Sequence, residues 1–188
     1  MVSVASLTIR AATPDDLSAC HALDLSYETD YVWQIDVRGD ESGAIAISLR
    51  TARLPRLMRV AYPRMAGLLS AALQWDRSFG AFLVAEKAGA LRGYLLLRFE
   101  PERSAAWIAE LGVDAAFRRQ KIGTALLNAA RAQAKMHGLR YLSVETQTKN
   151  YPAICFCQKN GLVFCGYNDL YFANGDVALF FGQTVRLG

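Results

Sequence analysis

The feature that most constrains the fold is a buried strand followed by a basic glycine turn and an amphipathic helix. Residues 105–113 read AAWIAELGV, an apolar run that predicts a central strand covered on both faces. From Ile122 onward, apolar residues recur on one helical face with polar residues opposite, which predicts a helix that ends near Gly138. This order of elements predicts a mixed α/β fold with a sheet at its centre.

The turn between that strand and helix carries residues suited to a phosphate. It reads RRQKIG over residues 118–123, so a glycine permits close backbone approach and three basic side chains add positive charge. The helix N-terminus adds unpaired N–H groups and the positive end of the dipole. A pyrophosphate would fit there, although the turn by itself is equally well explained as a solvated basic loop.

Periodicity and turn residues predict the remaining elements. The prediction comprises a strand at 7–10, a helix from Thr13 to Ser26, strands at 31–37 and 44–49, a helix at 65–75, a hairpin of 81–86 and 91–99, a strand at 141–146, a helix at 152–159, and strands at 162–172 and 177–185. Because the chain has 188 residues and no repeat or linker, we expect one domain over residues 1–188.

Composition excludes several classes of protein. Hydrophobic residues make up 53% and charged residues 20% of the chain, and no apolar run reaches the roughly 18 residues of a membrane span. The N-terminus lacks a basic segment followed by a long apolar stretch, so we expect a cytoplasmic protein without a membrane partner. The four cysteines form no C-x-x-C pair, which argues against zinc and structural disulfides, and we expect no metal.

The charge balance is weakly basic, with a net charge of +4 and a pI near 9.0. Arginines at 50, 53, 56 and 59 form a run at three-residue spacing. Without interleaved aromatic residues, a solvated face is the favoured explanation over nucleic-acid binding. We therefore expect no nucleic-acid partner.

Two ordered motifs resemble the GNAT superfamily of N-acetyltransferases. The pyrophosphate loop of that family follows the pattern Gln/Arg-x-x-Gly-x-Gly/Ala, and residues 120–125 read QKIGTA after the central strand. Strand 141–146, Asn150 and a helix ending in KNGL then follow in the family's order. The resemblance covers roughly Ala81 to Gly182, and residues 144–147 and 175–181 look most like the streptothricin acetyltransferase branch.

The resemblance implies a mixed, mostly antiparallel sheet of about seven strands with about four helices, and acetyl-CoA as the co-substrate. It implies that the backbone of Leu111, Gly112 and Val113 pairs with the pantetheine arm. It places the remaining cofactor contacts at Arg118, Arg119, Gln120, Lys121, Ile122, Gly123, Thr124, Ala125, Asn150, Ala153 and Phe156. Asn150 is equally well explained as the N-cap of the following helix.

Acetyl transfer to an amine needs a proton acceptor, and Glu110 is the leading candidate. It precedes the cofactor segment in an apolar strand, at a position that carries an acid in the resembling enzymes. The alternative is a glutamate that faces solvent or forms a salt bridge. Glu145 ranks second, since its place in strand 141–146 puts it either in the active cleft or under a helix.

Cys157 stands where the resembling enzymes often carry a tyrosine that protonates the leaving thiolate. It either shares that role or fills space as a small buried hydrophobe. Tyr167 and Tyr171 are predicted on a late strand as packing residues, with a place in the acceptor pocket left open.

The predicted reaction is direct transfer of an acetyl group from acetyl-CoA to a primary amine, of a small molecule such as an aminoglycoside-like or streptothricin-like antibiotic. Acetylation of a protein N-terminus or lysine, and a non-catalytic acyl-CoA sensor, remain alternatives. The sequence leaves a homodimer open.

Overall fold

A computed structural model describes residues 6–62, 67–75 and 80–186. In chain order, its strands and α-helices are β1 (Leu7–Ala11), α1 (Asp16–Ala22), β2 (Tyr27–Gly39), β3 (Ile45–Val60), α2 (Leu68–Ala72), β4 (Gly80–Lys87), β5 (Ala90–Glu100), β6 (Ala105–Val113), α3 (Ile122–Met136), β7 (Tyr141–Gln147), α4 (Tyr151–Lys159), β8 (Val163–Asn168) and β9 (Ala178–Thr184). Seven strands form one sheet in the order β1-β4-β5-β6-β7-β9-β8. The predicted fold class, a mostly antiparallel seven-stranded sheet with four helices, is confirmed.

The sheet opens at its centre. All neighbouring strands pair antiparallel except β6 and β7, which are parallel. Their pairing begins at Ala105 with Tyr141 and ends at Ile108 with Val144. Because β6 continues to Val113 and β7 to Gln147, the two strands diverge beyond those last paired residues.

A β-bulge at Ala109 sets the direction of the side chains on β6. Leu97 pairs with Ile108 and Leu96 with Glu110, so Ala109 is the extra residue on β6. Before the bulge, Ile108 faces the core under α3, whereas after it Glu110 shares the opposite face with Leu96. Regular alternation would have placed both residues on the same face.

Two cores cover the two faces of the sheet. On one face, α3 and α4 bury apolar residues of β4, β5, β6, β7 and β9, with Leu95, Ile108, Leu126 and Leu142 almost fully buried. On the other face, α1 and α2 cover only the β4–β5 side, where Tyr94 and Leu96 are buried. The β7–β9 side of this second face is therefore less covered by helices.

The strands predicted at 31–37 and 44–49 differ from their prediction. The two expected strands exist but extend to 13 and 16 residues, and they pair with each other as a separate antiparallel ribbon rather than joining the main sheet. Trp33 of β2 packs against Phe164 and Phe181, with ring centroids 6.3 and 6.0 Å apart. The ribbon is thus held by tertiary contacts that local alternation does not encode.

Three other boundaries are corrected. The first helix ends at Ala22 rather than at Ser26, because Asp24 accepts a hydrogen bond from the Ser26 N–H and fixes an extended turn. The strand predicted at 162–172 ends at Asn168, whose side chain accepts from the Leu170 N–H. The helix predicted at 65–75 spans only Leu68–Ala72 among the described residues, and its first two predicted positions lie outside them.

No helix in the described ranges is long and apolar enough to cross a membrane. The four cysteines are free thiols. The arginines at 50, 53, 56 and 59 lie on β3 and are all exposed, and the pairing of the ribbon is irregular between Arg53 and Met58.

Candidate active site

The opening between β6 and β7 exposes one edge of the cofactor segment predicted at residues 111–113. On its other edge, β6 pairs through Leu111 with Leu95, through Gly112 with Tyr94 and through Val113 with Gly93. A Cβ atom on Gly112 would lie 2.9 Å from Leu25 Cδ1, so a larger residue here would displace the Leu25 side chain in the segment after α1. The peptide groups on the open edge suit an amide-rich chain that lies along the strand.

The predicted phosphate turn lies beside this opening. Arg119 and Lys121 have left-handed backbones, with φ of 64° and 65°, and α3 begins at Ile122. A Cβ atom on Gly123 would lie 3.1 Å from the Phe156 ring of α4. The first turn of α3 thus faces α4 across a narrow space, with its N–H groups directed out of the helix.

The basic residues of the turn are not equivalent. Arg118 is half-buried and donates from Nε to the Val113 carbonyl at 3.1 Å. Burial lowers the pKa of Arg118, against the opposite influence of Asp24 and Asp114. Arg119 and Lys121 are exposed. Arg118 therefore ties the turn to the end of β6, and the two exposed side chains are available to a phosphate.

The residues predicted on α4 take different positions. The Asn150 side chain accepts from the Ala153 N–H at 3.2 Å, which confirms that it caps the helix. Phe156 is half-buried against Gly123. Cys157 is 4% exposed in the core under α3 and α4, and burial raises the pKa of its thiol to about 12. Its thiol therefore stays protonated in a non-polar environment at neutral pH.

The two predicted carboxylates lie on the same face of the sheet, opposite α3 and α4. Glu110 is 6% exposed on β6. Glu145 pairs with Phe180 on β9, just beyond the last residue of β7 that pairs with β6. The register thus brings both residues to the point where the strands separate, while Cys157 belongs to the other face.

Glu145 has an unusual environment. Its Oε2 atom is buried and has no hydrogen-bond partner within the described part of the chain. Burial raises the pKa of Glu145 to about 7, against the opposite influence of its own backbone N–H, Arg98, Trp107 and Tyr171. A fraction of Glu145 is therefore ionised at neutral pH.

Sequence reasoning missed the segment that crosses the opening. After α1, the Asp24 carbonyl accepts from the Ala115 N–H at 2.8 Å, near the end of β6. Nine residues later, Trp33 donates to the Thr148 carbonyl at 2.9 Å, just past the end of β7. Tyr27 lies between these contacts with a buried hydroxyl that has no partner among residues 6–62, 67–75 and 80–186. No periodicity signals this role, because it depends on contacts between distant residues.

Comparison with known families decides the class of the protein. Residues 51–162, more than half of the chain, match the model of the acetyltransferase (GNAT) family. The chain belongs to the acetyltransferase (GNAT) family. The family resemblance expected from residues 120–125 and 141–162 is confirmed, and this GNAT protein is an acetyl-CoA-dependent N-acetyltransferase.

Individual relatives point to one branch of the GNAT family. The chain is 28% identical over 178 residues to a streptothricin acetyltransferase of Streptomyces lavendulae, with 91% of both chains covered. It superposes on a crystal structure of nourseothricin acetyltransferase with a TM-score of 0.80 and 23% identity, covering 96% of this chain and 99% of that one. A candidate streptothricin acetyltransferase from Bacillus anthracis str. Ames, crystallised with acetyl coenzyme A, gives a TM-score of 0.75 at 19% identity, with 97% and 99% covered.

The site fits acetyl-CoA on its own features. The open edge at 111–113 offers peptide groups to the pantetheine amides, and the first turn of α3 offers N–H groups to the pyrophosphate. The close approach of Gly123 to Phe156 leaves no room for a larger residue without movement of the ring.

Proposed function

We propose that this GNAT enzyme acetylates a primary amine of a small, amine-rich antibiotic of the streptothricin type. The observation that carries the proposal is the 91% coverage of both chains in the match to streptothricin acetyltransferase. That match includes the N-terminal half, which contains the segment from Asp24 to Trp33, and is not limited to the cofactor half. The similarity therefore extends to the part of the chain that borders the acceptor side.

In the proposed arrangement, the backbone at 111–113 pairs with pantetheine, and the N–H groups of residues 120–124 hold the pyrophosphate. The Ala125 N–H instead donates to the Lys121 carbonyl at 3.0 Å. Arg119 and Lys121 face the phosphates from solvent, and Arg118 positions the turn through Val113. Asn150, Ala153 and Phe156 border the other wall of the opening, next to Gly123. When bound, acetyl-CoA supplies an acetyl group activated as a thioester.

We propose Glu110 as the group that takes the proton from the acceptor amine, directly or through a water molecule. Its place after the Ala109 bulge supports this role, because the bulge turns it from the α3 core to the acceptor face. Near-complete burial keeps the carboxylate fixed and limits its contact with solvent. Cys157 is assigned to packing, since its buried thiol has a raised pKa and lies on the opposite face.

The proposal is tested by a thiol-release assay with acetyl-CoA and a panel of streptothricin, aminoglycosides, polyamines and basic peptides. We expect streptothricin to give the highest kcat/KM and mass spectrometry to detect a product with one added acetyl group. A higher kcat/KM for a peptide N-terminus or lysine than for streptothricin would contradict the antibiotic acceptor and indicate that the acceptor is a protein. Binding of acetyl-CoA without thiol release in any reaction would indicate a sensor rather than an enzyme for these amines.

A further inference from the structure

The acceptor face of the sheet carries an aromatic cluster around one carboxylate. Trp107 and Phe180 have ring centroids 5.9 Å apart, and Tyr171 stands at 89° to Phe180 with centroids 5.3 Å apart. Phe180 lies opposite Glu145 in the β7–β9 register. We call Glu145, Trp107, Tyr171 and Phe180 the Glu145 subsite.

The Glu145 subsite lies beside the reaction centre rather than at a distant surface. Trp107 comes one residue before the last parallel pair on β6, and Glu145 one residue after it on β7. Neighbouring strands are about 4.8 Å apart at such a pair. Glu110 lies two residues after Ile108 on β6, and its side chain is on the same face of the sheet as Trp107 and Glu145. A molecule that presents an amine to Glu110 would therefore extend over the Glu145 subsite.

The charges around the Glu145 subsite leave its carboxylate available to a cation. Arg98 faces it from β5, but its guanidinium donates to Glu100 at 2.8 Å, and Arg103 also lies 3.4 Å from Glu100. The Oε2 atom of Glu145 is buried without a partner in the described chain. An unpartnered buried carboxylate oxygen is costly, and a bound cation with N–H donors would relieve that cost.

We propose that the Glu145 subsite binds an ammonium group of the acceptor other than the amine that is acetylated. The aromatic faces stabilise a cation by cation–π attraction, and the carboxylate adds a charge-assisted hydrogen bond. The inference deepens the proposed function, on which it rests, by making the enzyme selective for acceptors with at least two amines. Glu145 is then a specificity residue, and Glu110 alone takes the proton.

The test compares acceptors that differ only in the second amine: cadaverine against pentylamine, and putrescine against butylamine. We expect the wild type to prefer each diamine, and Glu145→Gln to lower kcat/KM for the diamines about 10- to 100-fold, mainly through KM, with little change for the monoamines. Phe180→Leu should reduce the diamine preference by a few fold. Glu102→Gln, at an exposed glutamate, serves as the matched control and should leave kcat/KM unchanged for both monoamines and diamines.

Calorimetric titration of cadaverine into the enzyme saturated with coenzyme A gives a second readout that does not depend on turnover. We expect binding that weakens about 10- to 100-fold in Glu145→Gln and tightens from pH 6 to pH 8, because burial raises the pKa of Glu145 to about 7. The other charged or titratable groups around it are Arg98, Arg103, Glu100 and Tyr171, and burial raises the pKa of Tyr171 further above neutrality. An equal loss of kcat/KM for monoamines and diamines in Glu145→Gln would overturn the inference and make Glu145 a catalytic or structural residue. Unchanged cadaverine binding in that variant would overturn it as well. Failure of streptothricin alone in the assay, with the diamine preference intact, would instead contradict the proposed antibiotic acceptor.

Discussion

A negative charge at Gly123 should separate cofactor binding from folding. Gly123 is the second residue of α3, in the first turn that we propose binds the pyrophosphate, and its Cα lies against the Phe156 ring. In Gly123→Asp, a carboxylate about 5 Å from one phosphate charge costs about 3 kcal/mol at an effective dielectric constant of 20. That energy corresponds to a loss of acetyl-CoA affinity of about 200-fold, and repulsion from the second phosphate makes the loss larger.

The same substitution should leave the fold intact. A carboxylate in the first turn of a helix stabilises the helix by about 0.3–1 kcal/mol. Replacing a glycine inside a helix adds a few tenths of a kcal/mol to that stabilisation. The new Cβ, 3.1 Å from the Phe156 ring, offsets part of this gain. The midpoint temperature of thermal unfolding should therefore change by only a few degrees. Calorimetric titration with acetyl-CoA should, in the same variant, detect the loss of affinity.

Two controls assign the cause of the Gly123→Asp effect. Gly123→Ala adds the same Cβ without charge and should lose much less affinity. Ala132→Asp adds the same charge about 13 Å further along α3, beyond the screening length of about 8 Å, and should bind acetyl-CoA like the wild type. Acetyl-CoA affinity within about threefold of wild type in folded Gly123→Asp would refute the pyrophosphate assignment.

Three further predictions concern rate and stability. Glu110→Gln should lower the rate about 10²–10⁴-fold with little change in acetyl-CoA affinity; a pH–rate profile identical to wild type would remove Glu110 from the mechanism. Cys157→Ala should retain activity within roughly tenfold, or about 1.4 kcal/mol of barrier, in steady-state kinetics; a thousandfold loss with intact acetyl-CoA binding would make Cys157 an acid or nucleophile. Asp16 accepts hydrogen bonds from Arg10 at 2.7 and 2.8 Å, which hold the pKa of Asp16 well below its usual range, so Asp16→Asn should cost about 2 kcal/mol at pH 7. This contribution is present above the unfolded pKa of about 4 and is lost as pH falls. The difference between variant and wild type in the free energy of unfolding, measured in urea, should therefore narrow toward pH 3. A difference that does not depend on pH would contradict the ion-pair explanation.

The central part of the fold could be predicted because its signals are local. The apolar run at 105–113, the glycine turn and the helical periodicity after Ile122 each lie within one element, and the structure has β6 and α3 at these positions. Asn150 as a helix cap rests on a similarly local rule.

The rest depends on contacts that no short pattern contains. The Ala109 bulge decides which face Glu110 occupies, yet residues 105–113 look like an uninterrupted strand. Tyr171 lies in a turn beside Phe180 because Asn168 ends β8 early. Tyr27 reaches the opening through hydrogen bonds of Asp24 and Trp33 to distant strand ends.

The proposed choice of acceptor is tested most directly by two values of kcat/KM, one for streptothricin and one for a peptide with a free N-terminal alanine. Both are measured as thiol release from acetyl-CoA by the purified protein, and their ratio gives the preference. We expect a ratio above about 100, since a peptide terminus with one ammonium group cannot use both Glu110 and Glu145 and thereby loses about 3 kcal/mol. A ratio of one or below would contradict the proposed antibiotic acceptor and identify a protein N-terminus as the better acceptor.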